Sequence, residues 1–230
     1  MKHFQLLIVI AFISLNVSAQ RVNKISIGGN GSSVTYGFLL SENVIVNVSQ
    51  EGSLAEWGVD KYAGRPTDYI QRGLESYGGR VEYYTDKDDS AFRGKLKFIG
   101  ATQIKYYASF DNQFYVGKIK SVGPVNFDYY TNYDDPMLVG KIKLLGSANV
   151  GYYTSFDNEA YKGKLKSFGS VALSYYSSME DKSYAGKIKS INGSSFSYYG
   201  SQEHTYQKGS VKSGSQIQVF NGITFYIKNY

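Results

Sequence analysis

The sequence predicts an all-β protein: tandem 23-residue β-hairpin repeats forming an elongated sheet or β-solenoid, with strand caps at both ends. Three observations carry the prediction. Gly94, Gly117, Gly140, Gly163 and Gly186 stand 23 residues apart, as do Tyr83-Tyr84, Tyr106-Tyr107, Tyr129-Tyr130, Tyr152-Tyr153, Tyr175-Tyr176 and Tyr198-Tyr199. A fixed period of this size marks stacked supersecondary units. Within each unit apolar and polar residues alternate, as a half-buried strand requires. The chain also carries 23 Tyr and 25 Gly beside 3 Pro, a balance that suits strands joined by tight turns.

Residues 1–19 read as a signal peptide. Lys2 precedes an apolar run from Leu6 to Leu15, and Val17-Ser18-Ala19 offers a cleavage point. The protein is therefore expected to be secreted, periplasmic or on the outer cell surface. The run is shorter than the roughly 20 apolar residues of a membrane helix, and no later stretch exceeds it, so no transmembrane segment is expected. With no Cys, an exported chain of this length has to be held by packing alone.

Residues 20–72 are expected to form an N-terminal β cap and an irregular linker. Val22 to Ile27, Val34 to Leu40 and Asn43 to Val48 look like short strands, the first two split by a GGNGSS turn. From Ser53 to Glu75, a stretch containing Trp57 and Arg65-Pro66, no period is kept and a loop or short helix is expected.

Residues 73–208 are the hairpin array. Its first copy is degenerate, with Leu74, Tyr77 and Gly78 where the next has Leu96, Ile99 and Gly100, as capping units are. In the second segment of each copy, Ile104, Phe127, Val150, Leu173 and Phe196 share a parity with the first Tyr of the pair, which should face the core. The intervening columns, such as Gln103, Asn126 and Asn149, are polar and end in the second Tyr, which should face outward or line a groove. The first segment, G-K-[IL]-K, puts Leu96 and Ile99 out of phase; a bulge would repair this. Each unit then reads as strand, glycine turn, strand and acidic turn, advancing the sheet by about 10 Å. Residues 209–230 are the C-terminal cap hairpin, with Gln216 to Phe220 and Ile223 to Ile227 flanking Asn221-Gly222, a preferred pair for a two-residue turn.

Composition limits the chemistry. The leader takes one of 25 basic residues and none of the 19 acids, so the formal charge of +6 becomes +5, a mild bias towards anionic partners. After the leader, His204 is the single histidine, so thiol and Ser-His-Asp designs lack parts; no enzyme activity and no cofactor are expected. Asp88-Asp89, Asp111-Asn112, Asp134-Asp135, Asp157-Asn158 and Glu180-Asp181 form a column that could gather calcium if turns converged, but Asp and Asn serve turns by bonding their own backbone, and no metal site is expected. The candidate binding residues are the second tyrosines, Tyr84, Tyr107, Tyr130, Tyr153, Tyr176 and Tyr199, and the lysine pairs Lys95 and Lys97, Lys118 and Lys120, Lys141 and Lys143, Lys164 and Lys166, and Lys187 and Lys189. Rings stack on sugar faces and ammonium groups attract anions; equally, such residues can pack on one another across strands.

The layout of GKIKSINGSSFSYY resembles the aromatic hairpin repeats of choline-binding modules and clostridial-toxin carbohydrate-binding tails. Period 23 with Tyr115-Val116-Gly117, Tyr161-Lys162-Gly163 and Tyr184-Ala185-Gly186 is similar to MORN repeats. The resemblance spans about Gly73 to Gly209 and implies hairpins in an extended sheet; Lys stands where toxin repeats often carry Trp. The form G-K-[IL]-K-S-[IVF]-G is also similar to uncharacterised secreted bacterial repeat proteins. Two functions are expected to compete. One is a non-enzymatic secreted or cell-envelope protein whose Tyr/Lys surface binds a glycan or other anionic envelope polymer. The alternative is a structural scaffold that self-associates or binds protein partners through the array. Nucleic acid is not expected as a partner, given export and the acidic turns.

Overall fold

The structure is a computed structural model that describes residues 21–61 and 73–228. The expected leader and the Arg65-Pro66 segment lie outside them. The protein is all-β; among the described residues the one helical element is a 3-10 turn at Ser41–Asn43.

The array begins with β5 (Val81–Tyr83) and continues as hairpins: β6 (Leu96–Ile99) with β7 (Thr102–Tyr106), β8 (Ile119–Val122) with β9 (Val125–Tyr129), β10 (Ile142–Leu145) with β11 (Ala148–Tyr152), and β12 (Leu165–Phe168) with β13 (Val171–Tyr175). In the next copy β14 (Ile188–Ile191) pairs β15 (Ser194–Ser195). β15 is cut off from β16 (Ser197–Tyr198) by Phe196, whose N–H donates to the Lys189 carbonyl. β16 then pairs β17 (Val211–Ser213). Strands β5 to β15 form one 11-stranded antiparallel meander in sequence order.

Each copy shows the same local solution. Ile99 sits opposite Thr102 across a two-residue turn opened by Gly100 at φ 55°, the positive first φ that lets the turn follow the strand twist. The last hairpin uses Asn192-Gly193, both with positive φ. Between copies the expected bulge is present at the second lysine: Tyr129 pairs Ile142 and Asp128 pairs Leu144, leaving Lys143 as the extra residue. The register shifts in the same place at Lys97, Lys120, Lys166, Lys189 and Lys212. This is why Leu96 and Ile99, three apart, are both buried.

The flanking strands do not sit apart at the two ends. β1 (Val22–Gly28), β2 (Val34–Leu39), β3 (Val44–Ser49) and β4 (Leu54–Val59) form an antiparallel run, and the hairpin of β18 (Ile217–Phe220) and β19 (Ile223–Lys228) joins it, with β19 parallel to β1. The result is a six-stranded sheet in the order β18-β19-β1-β2-β3-β4. It lies over one face of the array. Phe38 meets Phe127 at 5.6 Å between ring centroids and Tyr36 meets Phe168 at 5.9 Å, and the Tyr36 and Tyr152 hydroxyls are 3.1 Å apart in the interior. Backbone bonds cross as well, from Ile119 N–H to the Gly52 carbonyl (2.9 Å) and from Ile142 N–H to the Gln50 carbonyl (2.8 Å). The segment expected to be irregular after Ser53 is in part the strand β4, with Trp57 opposite Val46. Alternation there is masked because Leu54 and Trp57 are only partly buried on an edge strand.

One core therefore runs between two layers. From the flanking sheet it takes Ile25, Ile27, Tyr36, Phe38, Val46, Val48, Phe225 and Ile227; from the array it takes the Ile104 and Ile99 columns and the first tyrosines Tyr106, Tyr129, Tyr152, Tyr175 and Tyr198. Tyr83, at the array's start, is 51% exposed instead.

Candidate functional site

The candidate residues lie at the edge of the array where each hairpin hands over to the next. The regular strand ends at the first tyrosine; the second still pairs its backbone with the next copy, as Tyr107 does by donating its N–H to the Lys118 carbonyl and accepting from the Gly117 N–H (2.9 Å each), and its ring leans over that copy. Tyr107 lies tilted against Tyr115 (4.9 Å) and edge-on to Tyr129 (6.1 Å). The same grouping recurs as Tyr84, Phe92 and Tyr106, as Tyr153, Tyr161 and Tyr175, and as Tyr176, Tyr184 and Tyr198. In the Tyr130 junction Leu138 replaces one ring and Tyr130 meets Tyr152.

Their hydroxyls are committed to the next copy. Tyr84 donates to the Ile104 carbonyl (3.0 Å), Tyr107 to Phe127 (2.9 Å), Tyr130 to Val150 (2.9 Å), Tyr153 to Leu173 (2.9 Å) and Tyr176 to Phe196 (2.7 Å). Each of these five rings is half-buried, and burial raises the hydroxyl above the ordinary tyrosine value. Tyr199, in the last junction, lies under Lys212 Nζ at 5.4 Å.

The two lysine columns divide the work. First lysines reach along the array to the glycine carbonyl of the following copy: Lys95 to Gly117 (2.5 Å), Lys118 to Gly140 (2.9 Å), Lys141 to Gly163, Lys164 to Gly186 (2.6 Å) and Lys187 to Gly209. Two of them also tie down the flanking sheet, Lys118 to the Glu51 carbonyl (2.7 Å) and Lys164 to Asn30 (2.5 Å). Each lies about 5 Å over a first-column ring, as Lys141 does over Tyr152 at 5.0 Å. Burial lowers Lys164 to about 8. The second lysines, in the bulges, sit over the second tyrosines: Lys97 over Tyr84, Lys120 over Tyr107, Lys143 over Tyr130, Lys166 over Tyr153 and Lys189 over Tyr176, at 4.9 to 5.2 Å. Lys120, Lys143 and Lys189 keep about half of their surface and approach Asp111 (4.0 Å), Asp134 (2.9 Å) and Glu180 (3.1 Å).

The acidic column closes its own loops. The first carboxylate of each turn accepts a backbone N–H three residues back, as Asp134 does from Thr131 (2.9 Å) and Asp157 from Thr154 (2.6 Å). The second reaches the next copy: Asp89 to Ser109, Asp135 to Ser155 and Asp181 to Ser201, each taking the backbone N–H and the hydroxyl, while Asn158 pairs with Ser178. Asp89, held first by the Ala91 N–H and then by Ser109, Asp135, held by Ser155, and Asp181, held first by the Ser183 hydroxyl and then by Ser201, all lie below the usual carboxylate range. Among the described residues there is no cluster of three metal-binding side chains.

Three tethers thus link neighbouring hairpins along the array: tyrosine hydroxyl to strand carbonyl, lysine to glycine carbonyl, and Asp or Asn to Ser. The sequence marks the participating columns by their period. It does not reveal that partners lie 20 or 22 residues away, because that offset depends on how hairpins stack. Compared with protein-family models, curated proteins and solved structures, the chain finds no match. No described helix is long and apolar enough to cross a membrane.

Proposed function

We propose that this is a non-enzymatic secreted or cell-envelope protein whose Tyr/Lys surface holds a glycan or other anionic envelope polymer through several weak, equivalent contacts. The observation that supports the reading most is the fixed pitch of the exposed edge. Because the tyrosine and lysine tethers repeat from copy to copy, the half-exposed lysines over tyrosine faces recur at one spacing, about 10 Å per copy. A rigid row of equivalent contacts retains a polymer far better than one contact does.

The test is retention of the purified protein by a panel of charged and uncharged polysaccharides at low and high salt. A variant carrying Lys120→Gln, Lys143→Gln and Lys166→Gln reports the share of the lysines, which added salt should also suppress. Saturable retention by one polymer class supports the reading; none at either salt ends it.

One observation favours the scaffold reading instead. The tyrosine hydroxyls and first-column ammonium groups are spent inside the array, and sheet edges such as β18, with Val219 exposed, are open to strand addition. Light scattering that shows a monomer across a wide concentration range, together with no captured protein partner, would remove it.

A further inference from the structure

One periodic feature has no role in the tethers. The residue before the first carboxylate of each acidic turn is Phe110, Tyr133, Phe156 and Met179 in successive copies, and these side chains are 86, 92, 96 and 94% exposed. Their backbone is held: Ala108 N–H donates to Asp111 on one side of Phe110, and Ser155, next to Phe156, is bonded to Asp135 of the preceding copy. The equivalent positions in the outer copies are Lys87 and Gln202, so the row has polar ends. Scattered exposed apolar residues need no explanation, but a line of them on fixed loops marks a contact surface.

We propose that this row is the contact edge for an uncharged, extended polysaccharide. The inference rests on the polymer-binding reading and adds to its lysine row a second contact row, with an uncharged glycan as its ligand class. Three features argue for it. Two strands per copy place successive tips about 10 Å apart, roughly the length of two sugar units in an extended chain, so alternate sugars can stack on successive tips. Aromatic side chains offer the flat apolar faces that sugar rings cover. Charge decides between polymers: beside the tips the four loops carry Asp111, Asp134, Asp135, Asp157, Glu159, Glu180 and Asp181 against Lys162 and Lys182, and Lys162 and the nearby Lys120, Lys143 and Lys189 face Glu159, Asp111, Asp134 and Glu180. An anionic polymer or anionic bilayer would meet these carboxylates, whereas sugar hydroxyls can donate to them and to exposed Asn112, Gln113 and Asn132.

The experiment compares wild type with a Phe110→Ser, Tyr133→Ser, Phe156→Ser variant. Probes are cellulose, chitin, alginate, and vesicles of neutral and of anionic phospholipid. The expected result is saturable retention on an uncharged glycan that added salt leaves unchanged, weakened at least about tenfold in the triple variant because avidity is lost, at an unaltered melting temperature. Should the triple variant unfold, Phe156→Ser alone is expected to weaken retention by a smaller factor. Undiminished retention of a folded variant on an uncharged glycan overturns the tip row and leaves the polymer reading standing. Retention only on alginate has the same effect, and retention only on vesicles replaces the ligand class by a membrane surface. No retention on any polymer overturns both.

Discussion

Gly52 and Gly94 offer a matched pair for testing whether the flanking sheet and the array are one folded unit. Both have left-handed φ, 80° and 75°, so alanine at either site pays about 1 to 2 kcal/mol for the backbone. Their surroundings differ. A Cβ at Gly94 meets nothing within 4 Å, whereas one at Gly52 runs into the ring and hydroxyl of Tyr129. Tyr129 cannot swing away: it is buried, and its hydroxyl donates to the Ile119 carbonyl at 2.6 Å. Overpacking of this kind adds about 1 to 3 kcal/mol. Gly52→Ala should therefore cost about 2 to 5 kcal/mol and Gly94→Ala about 1 to 2. Urea unfolding followed by near-ultraviolet circular dichroism measures both, and in a chain of this size each kcal/mol moves the melting temperature by roughly 2 to 4 °C. Equal losses would mean that the 49–53 turn does not rest on Tyr129, and the two-layer arrangement would be refuted.

The tether reading makes further claims. Tyr153→Phe keeps the ring beside Tyr161 and Tyr175 but loses the bond to Leu173 and should cost about 1 kcal/mol; Tyr153→Ala loses both and should cost about 3, and a loss confined to the alanine would show that the hydroxyl contributes nothing. Burial raises Tyr84, Tyr107, Tyr130, Tyr153 and Tyr176, and raises Tyr198 to about 12. Their contribution to stability is complete below the unfolded value near 10 and is lost as pH rises through the folded values. The larger part of the tyrosinate absorbance should accordingly appear in a cooperative step with unfolding, and complete tyrosine ionisation in a protein that stays folded would contradict this. Asp89 is shifted downward by the Ala91 N–H of its own loop and by Ser109 of the next copy, Asp135 by Ser155 of the next copy and the Met137 N–H, and Asp181 by Ser183 of its own loop and Ser201 of the next copy. They contribute stability above the unfolded carboxylate value near 4 that is lost as pH falls through the folded values. Ser155→Ala and Ser201→Ala should flatten the fall in melting temperature on acidification; an unchanged slope would show these contacts to be inert.

Much of the local structure could be read from spacing. The alternation of Ile104 with Gln103 and Lys105, the off-phase Leu96 and Ile99, and Asn221-Gly222 each correspond to a feature seen in the fold: a half-buried strand, a bulge at Lys97 and a hairpin turn. The candidate site was legible only as a set of columns. That Tyr107 donates to Phe127 and Lys118 to Gly140 follows from a stacking offset between hairpins, which periodicity alone leaves open. The loop-tip column was visible too, as F-D-N, Y-D-D, F-D-N and M-E-D, but in a turn the carboxylates have an evident backbone role and draw attention away from the residue before them.

By itself, the sequence determined the repeat, its all-β character and the parity of its strands, because each depends on interactions within a hairpin or between identical neighbours. Only the tertiary structure decided that β19 returns to lie parallel to β1 and that the two ends of the chain share one sheet over the array. The physical reason is burial at long range. The Ile104 and first-tyrosine columns present an apolar face that no hairpin can cover alone, and Tyr36, Phe38 and Phe225, distant in sequence, supply the second layer. It also decided that the second tyrosines spend their hydroxyls on the next copy, since a donor at the end of a strand takes the nearest carbonyl that stacking brings within reach.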